Sequence, residues 1–161
     1  MFNQNIQMVR ITRTNMNDFK SLSLPKYQRR YVESFSQSYR LVKTNKDTRV
    51  NYELKGIRLN GIPVGYMLLR FNSEPFTRSE NAYYPGAMIT RLLITSQYQG
   101  KGIGTQAVQY AIDLARKKGY TKLFATCVPG KYSLLHHIRG TGWKKTGKEY
   151  DGEIEIVYNL N

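Results

Sequence analysis

The spacing of apolar residues follows two periods along the chain, and each period predicts a different kind of element. At residues 6–12 apolar and polar positions alternate, as in a strand with one buried face. The pairs Asn60-Gly61 and Asp151-Gly152 each separate two such stretches and are strong signals for tight hairpins. These patterns predict seven strands, at residues 6–12, 50–59, 64–71, 87–95, 122–128, 143–150 and 153–160.

A period near 3.6 predicts four helices between these strands. They are predicted at residues 15–24, 25–43, 105–118 and 131–139. Asn15 or Asn17 is suited to cap the first, Pro25 opens the second, and Gly119 ends the third. The polar segment 72–86 is predicted to be a loop. Because helices connect some strands and tight turns connect others, we expect an α/β fold with a sheet of mixed direction.

Length and cysteine content indicate a single globular domain. The 161 residues can bury one sizeable core, so we expect one domain over residues 1–161. The one cysteine, Cys127, excludes an internal disulfide and is typical of a reducing compartment. No apolar run has the length of a signal peptide or of a membrane span. We therefore expect a soluble, cytoplasmic protein with no membrane partner.

The net charge of +14 narrows the range of partners. Residues 1–80 contain 14 basic and 6 acidic side chains, and residues 81–161 contain 11 and 5, so the excess is spread along the chain. Such a surface attracts nucleotides, phosphorylated cofactors, RNA and acidic proteins, and repels polycations. A basic surface without any specific partner is the alternative interpretation.

The glycine-rich stretch QYQGKGIGTQAV, residues 97–108, lies between a predicted strand and a predicted helix. Glycine permits positive φ and lets the backbone approach a ligand closely. Successive amides at the positive end of a helix form a nest that binds phosphate, whereas a turn with no ligand is the alternative. The loop is not a Walker A motif, because no Gly-Lys-Ser/Thr ends it, and its glycines lack the dinucleotide spacing. The sequence also lacks the Ser/Thr–Asp pair of a metal–nucleotide site, so we expect no metal.

The motif Gln99-x-x-Gly102-x-Gly104 resembles the Q/R-x-x-G-x-G/A signature of the GNAT superfamily of N-acetyltransferases. Residues 87–143 are similar to the strand–loop–helix–strand core of that superfamily, and GTGW near their end resembles its terminal element. The resemblance implies a mixed, mostly antiparallel sheet of about seven strands with four helices. It also implies that the central strands splay apart to hold an acyl-CoA.

By the same resemblance, the loop would bind the pyrophosphate of acetyl-CoA, and the pantetheine arm would pair with the strand before the loop. A backbone N–H near Leu92 or Leu93 would then polarise the thioester carbonyl. The residues implied to contact the cofactor are Leu92, Leu93, Ile94, Gln99, Gly100, Lys101, Gly102, Ile103, Gly104, Thr105 and Lys131.

The chain departs from the superfamily at the positions that usually handle protons. Ile138 stands where a tyrosine commonly acts as the acid, Lys131 replaces the usual asparagine, and Thr90-Arg91 stands where the strand often offers a glutamate. General acid–base help contributes about 10²- to 10⁴-fold in rate, so we expect transfer to be slowed and not abolished.

Several side chains could replace the missing acid and base. The catalytic candidates are Glu53 on a predicted strand and Tyr132 and His137 on the last predicted helix. His136 and His137 both flank the position of Ile138, so one of them could relay a proton, and Tyr83 and Tyr84 could form a wall of the acceptor site. Each of these residues also has an ordinary explanation as a surface or packing side chain. We expect Cys127 to be a core residue and not a nucleophile.

The sequence favours acetyl transfer from acetyl-CoA to a primary amine of a small molecule, by direct attack in a ternary complex. The segment LPKYQRRYVESFSQSYR loosely resembles the polyamine branch of the superfamily, but the scarcity of acids argues against a polycationic acceptor. A monoamine, an amino acid or an amine attached to an anion, including aminoacyl-tRNA, fits better. The alternative is a weak or inactive binding module for RNA, aminoacyl-tRNA or a protein partner. Relatives are often homodimers.

Overall fold

The computed structural model describes residues 5–22, 35–72, 86–129 and 140–161. Its described strands are β1 (Ile6–Arg10), β2 (Val50–Leu59), β3 (Ile62–Asn72), β4 (Ala87–Ile94), β5 (Lys122–Cys127), β6 (Trp143–Tyr150) and β7 (Glu153–Asn159). The α-helices in these ranges are α1 (Met16–Lys20), α2 (Phe35–Thr44) and α3 (Ile103–Lys117). A short 3₁₀ helix covers Ser96–Tyr98.

The strands form a seven-stranded sheet in the order β1-β2-β3-β4-β5-β7-β6. β1 pairs with β2 in antiparallel fashion, and β7 does so with both β5 and β6. β4 and β5 run parallel, from the pair Ala87 and Leu123 to the pair Ile89 and Ala125. Parallel strands need a crossover connection, which α3 provides here. The predicted fold class, an α/β fold with a mixed and mostly antiparallel sheet, is confirmed.

Both predicted hairpins are present between paired strands. Asn60 and Gly61 have φ values of +50° and +82°, and Asp151 and Gly152 have +49° and +81°. Positive φ at both central residues matches the right-handed twist of the flanking strands. The local sequence therefore determines these two turns.

Two predicted helices differ in their bounds from the structure. α3 begins at Ile103 and not at residue 105, so Gly104 lies in its first turn. α1 covers Met16–Lys20, half of the length predicted, and Asn15 does not cap it through its side chain. Instead Asn15 Oδ1 accepts a hydrogen bond from the amide of Thr12, 2.8 Å away, so the side chain stabilises the preceding turn. Residues 25–34 and 131–139 of the other predicted helices lie outside the described residues.

Contacts divide the chain into two compact units. The first consists of Met1–Lys46, Tyr52–Leu69 and Arg91–Tyr110, and the second of Asp47–Asn51, Arg70–Thr90 and Ala111–Asn161. The single domain expected over residues 1–161 stays a prediction. No helix in the described parts of the chain is long and apolar enough to cross a bilayer.

The first unit has two apolar clusters on opposite faces of its strands. One joins Phe19 of α1 and Phe35 of α2 to Leu54 of β2. The other joins Ile57 of β2 to Ile103 and to neighbouring residues of α3. Leu54 and Ile57 are three residues apart, so they point to opposite sides of the strand. Helices α1 and α2 therefore cover one face of this unit's strands, and the first turns of α3 cover the other.

The second unit buries its own set of side chains. Ala111 and Ala115 of α3 are fully buried, as is Leu123 of β5, and Ile156 of β7 is nearly so. The small residues on α3 let the helix approach its neighbours closely. Arg116 fixes the end of the chain by donating a hydrogen bond from Nε to the carbonyl of Leu160 over 3.0 Å.

Candidate active site

Two glycines hold the loop between β4 and α3 in an open conformation. Gly100 and Gly102 have φ values of +73° and +82°, in the left-handed region that other residues disfavour. Among the described residues, no atom lies within 4 Å of a Cβ built on either glycine. The backbone conformation, and not crowding, therefore requires glycine here, and the space beside the loop is accessible to a ligand.

The backbone amides at residues 100–105 do not donate hydrogen bonds to the described parts of the protein. The amide of Gln106 donates to the carbonyl of Gly102 over 3.1 Å and so begins the helical hydrogen bonding. No described residue accepts a hydrogen bond from the amides of residues 100–105. The first turn of α3 contains no acidic side chain, so no carboxylate there neutralises the positive end of the helix dipole. This arrangement suits phosphate oxygens.

Gln99 and Lys101, both implied cofactor contacts, also stabilise the loop itself. Nε2 of Gln99 donates a hydrogen bond to the carbonyl of Ile94 over 2.8 Å, which ties the loop to the end of β4. The ammonium of Lys101 lies 5.4 Å from the ring centroid of Tyr98, a cation–π distance. Thr105 is exposed in the first turn of α3.

The last residues of β4 pack on alternate sides of the strand. Leu93 is buried in the cluster formed by α1 and α2. Leu92 and Ile94 pack against the cluster that contains Ile103 and Ala107 of α3. The side chains of all three residues are therefore occupied by packing, and what β4 can offer a ligand at this point is its backbone.

Glu53, a candidate base, lies on the strand face that α3 covers. It shares that face of β2 with Ile57, and its Oε2 is buried. The charge of Glu53 acts on Tyr110 of α3, whose pKa is raised, first by burial and then by the negative charge of Glu53. Tyr110 is one residue that the sequence analysis misses. The spacing of Ile103, Ala107 and Tyr110, which places all three on one helix face, is the signal that could have found it.

The two residues that replace the usual glutamate of β4 are both partly buried. Arg91 donates a hydrogen bond from Nη1 to Oγ of Ser38 over 3.2 Å, and Ser38 on α2 is fully buried. Oγ1 of Thr90 is buried and has no hydrogen-bond partner among the described residues. Neither side chain can act as a base, so β4 contributes no carboxylate at this position.

Seven residues singled out from the sequence lie outside the described residues. They are Tyr83, Tyr84, Lys131, Tyr132, His136, His137 and Ile138. The roles assigned to them stay predictions.

Cys127 ends β5 and faces Ile154 of β7. It is 6% exposed, and burial, together with the charge of Glu153, raises the pKa of its thiol to about 11. A thiol with this pKa is protonated at neutral pH and is a poor nucleophile. The geometry therefore matches the expected core role.

The sequence profile of the acetyltransferase (GNAT) family matches residues 16–135 of the chain. The protein belongs to the GNAT acetyltransferase family. The match includes the glycine-rich loop and the start of α3, where the amides of residues 100–105 have no acceptor among the described residues. Membership supports acyl transfer as the general activity.

One relative matches part of the chain, and solved structures of low sequence identity share its fold. The chain is 35% identical over 57 residues to N-acetyltransferase family 8 member 2 of Rattus norvegicus, and the matched region spans 35% of this chain and 25% of that protein. Similar folds include an acetyltransferase from Thermus thermophilus, with a TM-score of 0.65, 17% identity and 99% of both chains covered. A paia N-acetyltransferase from Thermoplasma acidophilum in complex with coenzyme A has a TM-score of 0.67 at 12% identity, covering 96% of this chain and 99% of the other.

Proposed function

We propose that this GNAT family member transfers an acetyl group from acetyl-CoA to a primary amine of a small molecule, by direct attack within a ternary complex. One observation carries the proposal: the backbone amides of residues 100–105 have no hydrogen-bond acceptor among the described residues. Backbone amides at a helix N-terminus bind phosphate oxygens, and acetyl-CoA carries a diphosphate. The coenzyme A complex of a similar fold supports the same ligand class.

Apart from Lys131, the residues that hold acetyl-CoA in this proposal lie in the first unit, on β4, the glycine-rich loop and the first turn of α3. The amides from Gly100 to Thr105 bind the diphosphate, Lys101 adds a positive charge, and Gln99 fixes the loop to β4. The backbone of residues 92–94 lies along the pantetheine arm, and Lys131 is a further cofactor contact that the family resemblance implies. When bound, acetyl-CoA supplies an activated thioester carbonyl.

The chain must also remove a proton from the acceptor. An alkyl amine has a pKa near 10.4, so most of it is protonated at neutral pH and cannot attack. Glu53 is the proposed base and acts through a water molecule. A backbone amide of β4 stabilises the negative charge that develops on the carbonyl oxygen. Tyr132 and His137 are the proposed sources of a proton for the leaving thiolate.

The charges of the first unit favour an acceptor that is not a polycation. Its described carboxylates are Asp18 and Glu53. Asp18 already forms an ion pair with Arg58, with 3.0 Å between Oδ2 and Nη2. A polyamine needs several carboxylates, whereas a monoamine, an amino acid or an amine attached to an anion does not. We therefore place the acceptor in this second group.

Two measurements in sequence test the proposal. Calorimetry with acetyl-CoA should show binding, and thiol release should then rise with a monoamine or an amino acid more than with spermidine. If acetyl-CoA does not bind, the proposed function is wrong. If it binds but no amine raises thiol release above hydrolysis, the chain is instead a binding module, and RNA affinity with a steep salt dependence would identify that role.

A further inference from the structure

Gly65 of β3 lies directly against the backbone of β4. A Cβ built on Gly65 would overlap the carbonyl oxygen of Leu93 and would lie 3.0 Å from Cδ1 of Ile94. Gly65 is not among the glycines with positive φ, so backbone conformation does not demand glycine here. The reason is steric: any side chain would displace the Leu93 carbonyl.

This contact fixes the direction of one peptide group. The described peptides are all trans, so the N–H of Ile94 points opposite to the Leu93 carbonyl and therefore away from β3. The next peptide has the reverse orientation, because the amide of Thr95 donates to the carbonyl of Val64 over 2.8 Å. The carbonyl of Ile94 thus also points away from β3, where it accepts the hydrogen bond from Gln99. The alternation along a strand gives the N–H of Leu92 the same direction.

β3 departs from regular alternation at the same glycine. Val64 packs with Ile103 and Ala107, on the face that α3 covers. Tyr66 packs on the opposite face, where its ring meets that of Phe35 edge-on at 5.3 Å between centroids. Residues two apart on a regular strand share a face, so the strand is irregular at Gly65. The irregularity and the close approach to Leu93 coincide.

We propose that Gly65 is a positioning residue for acyl-CoA. By letting β3 close on the Leu93 carbonyl, it sets the plane of the Leu93–Ile94 peptide and aims the amide of Ile94 at the pantetheine arm. This inference rests on the proposed function, and it adds that the orientation of the amide depends on a residue of a neighbouring strand that does not touch the ligand.

Gly56 of β2 provides a matched control. The three atoms nearest to a Cβ on Gly56 all belong to the ring of Phe19, so Gly56→Ala disturbs a buried position of the same unit without a direct clash with the backbone of β4. Gly65→Ala and Gly56→Ala are both expected to lower the melting temperature. Only Gly65→Ala is expected to weaken acetyl-CoA binding, by tenfold or more, when calorimetry is run at a temperature where both variants are folded.

ADP carries the diphosphate without the pantetheine arm. Its affinity therefore reports on the diphosphate site alone, whereas the affinity for acetyl-CoA depends on both parts of the ligand. We expect Gly65→Ala to leave ADP affinity within twofold of wild type. In the wild-type protein, the amide resonance of Ile94 should shift on addition of acetyl-CoA and not of ADP, a result that holds even if Gly65→Ala fails to fold. Equal losses in the two glycine variants, or an Ile94 resonance that acetyl-CoA leaves unmoved, would overturn the inference. Absence of any acetyl-CoA binding to wild type would overturn the proposed function itself.

Discussion

The side-chain amide of Gln99 donates a hydrogen bond to the backbone carbonyl of Ile94 over 2.8 Å. The backbone amide of Gln99 also donates to Ser96, so the motif glutamine is held from two sides at the start of the glycine-rich loop. Its neighbour Gly100 then has positive φ. The glutamine therefore stabilises the conformation of the loop that follows it, whatever contact it makes with a ligand.

Gln99→Glu replaces the donating amide by a carboxylate that repels the Ile94 carbonyl. Losing a partly buried hydrogen bond costs about 1–3 kcal/mol, and we expect acetyl-CoA affinity measured by calorimetry to fall about tenfold. Gln97→Glu is the control, because it adds the same charge to an exposed residue of the adjacent turn. Equal losses in both variants would show that charge alone is responsible.

Gly102→Val tests the loop as the diphosphate site. At +82° a β-branched residue is strained by about 1–2 kcal/mol, and the loop must change its conformation to relieve this strain. We expect acetyl-CoA binding to weaken at least tenfold while the far-ultraviolet circular dichroism is unchanged. Gly119→Val is the matched control, because Gly119 has φ of +90° in similarly open surroundings at the other end of α3. Normal affinity in Gly102→Val would remove the loop from the site.

The elements that could be predicted from sequence are those that local rules determine. Asn60-Gly61 and Asp151-Gly152 specify turns through the φ values that their residues tolerate. The start of α3 is predicted two residues late, because Gly104 signals a loop but adopts helical φ within the first turn. The glycine-rich loop can be recognised because one short stretch combines glycines, which tolerate positive φ, with the start of a helical apolar pattern.

The contacts that could not be predicted depend on which strand face meets which helix. Arg91 reaches Ser38 of α2, and Glu53 lies near Tyr110 of α3. Strand periodicity divides the side chains between two faces but does not say which helix covers each face. An irregularity such as the one at Gly65 also moves the side chains that follow it to the opposite face. Assigning the catalytic candidates therefore requires a structure, whereas recognising the cofactor loop requires only the sequence.

The raised pKa of the Cys127 thiol predicts that the folded protein loses stability at alkaline pH. Its pKa in the folded protein is about 11, above the value near 8.5 of a free thiol. The folded state binds this proton more tightly, so its contribution is fully present below about pH 8.5 and is lost as the pH rises through 11. We expect the difference in unfolding free energy between wild type and Cys127→Ala to change by about 3 kcal/mol between pH 8 and pH 11. Urea titrations at both pH values measure it, and a constant difference would contradict the prediction.

The same residue affects the thiol-release assay. Because Cys127 is buried and protonated, Ellman's reagent should leave it unmodified in the folded protein at pH 8 and should titrate one thiol after unfolding. Rapid reaction in the folded state would show that the end of β5 opens to solvent.

Glu53→Gln tests the proposed base. If Glu53 removes the acceptor's proton, the variant should lose about 10²- to 10⁴-fold in kcat at pH 7. The loss should shrink as the pH approaches 10, because the amine then deprotonates in solution without help. Glu155→Gln is the control: Glu155 is 2% exposed on β7, and its Oε1 accepts a hydrogen bond from Thr146 over 2.7 Å, which a glutamine oxygen can also accept. If the rate deficit of Glu53→Gln is constant with pH, or if Glu155→Gln shares it, Glu53 has a structural role. The acceptor amine would then lose its proton in solution and not to Glu53.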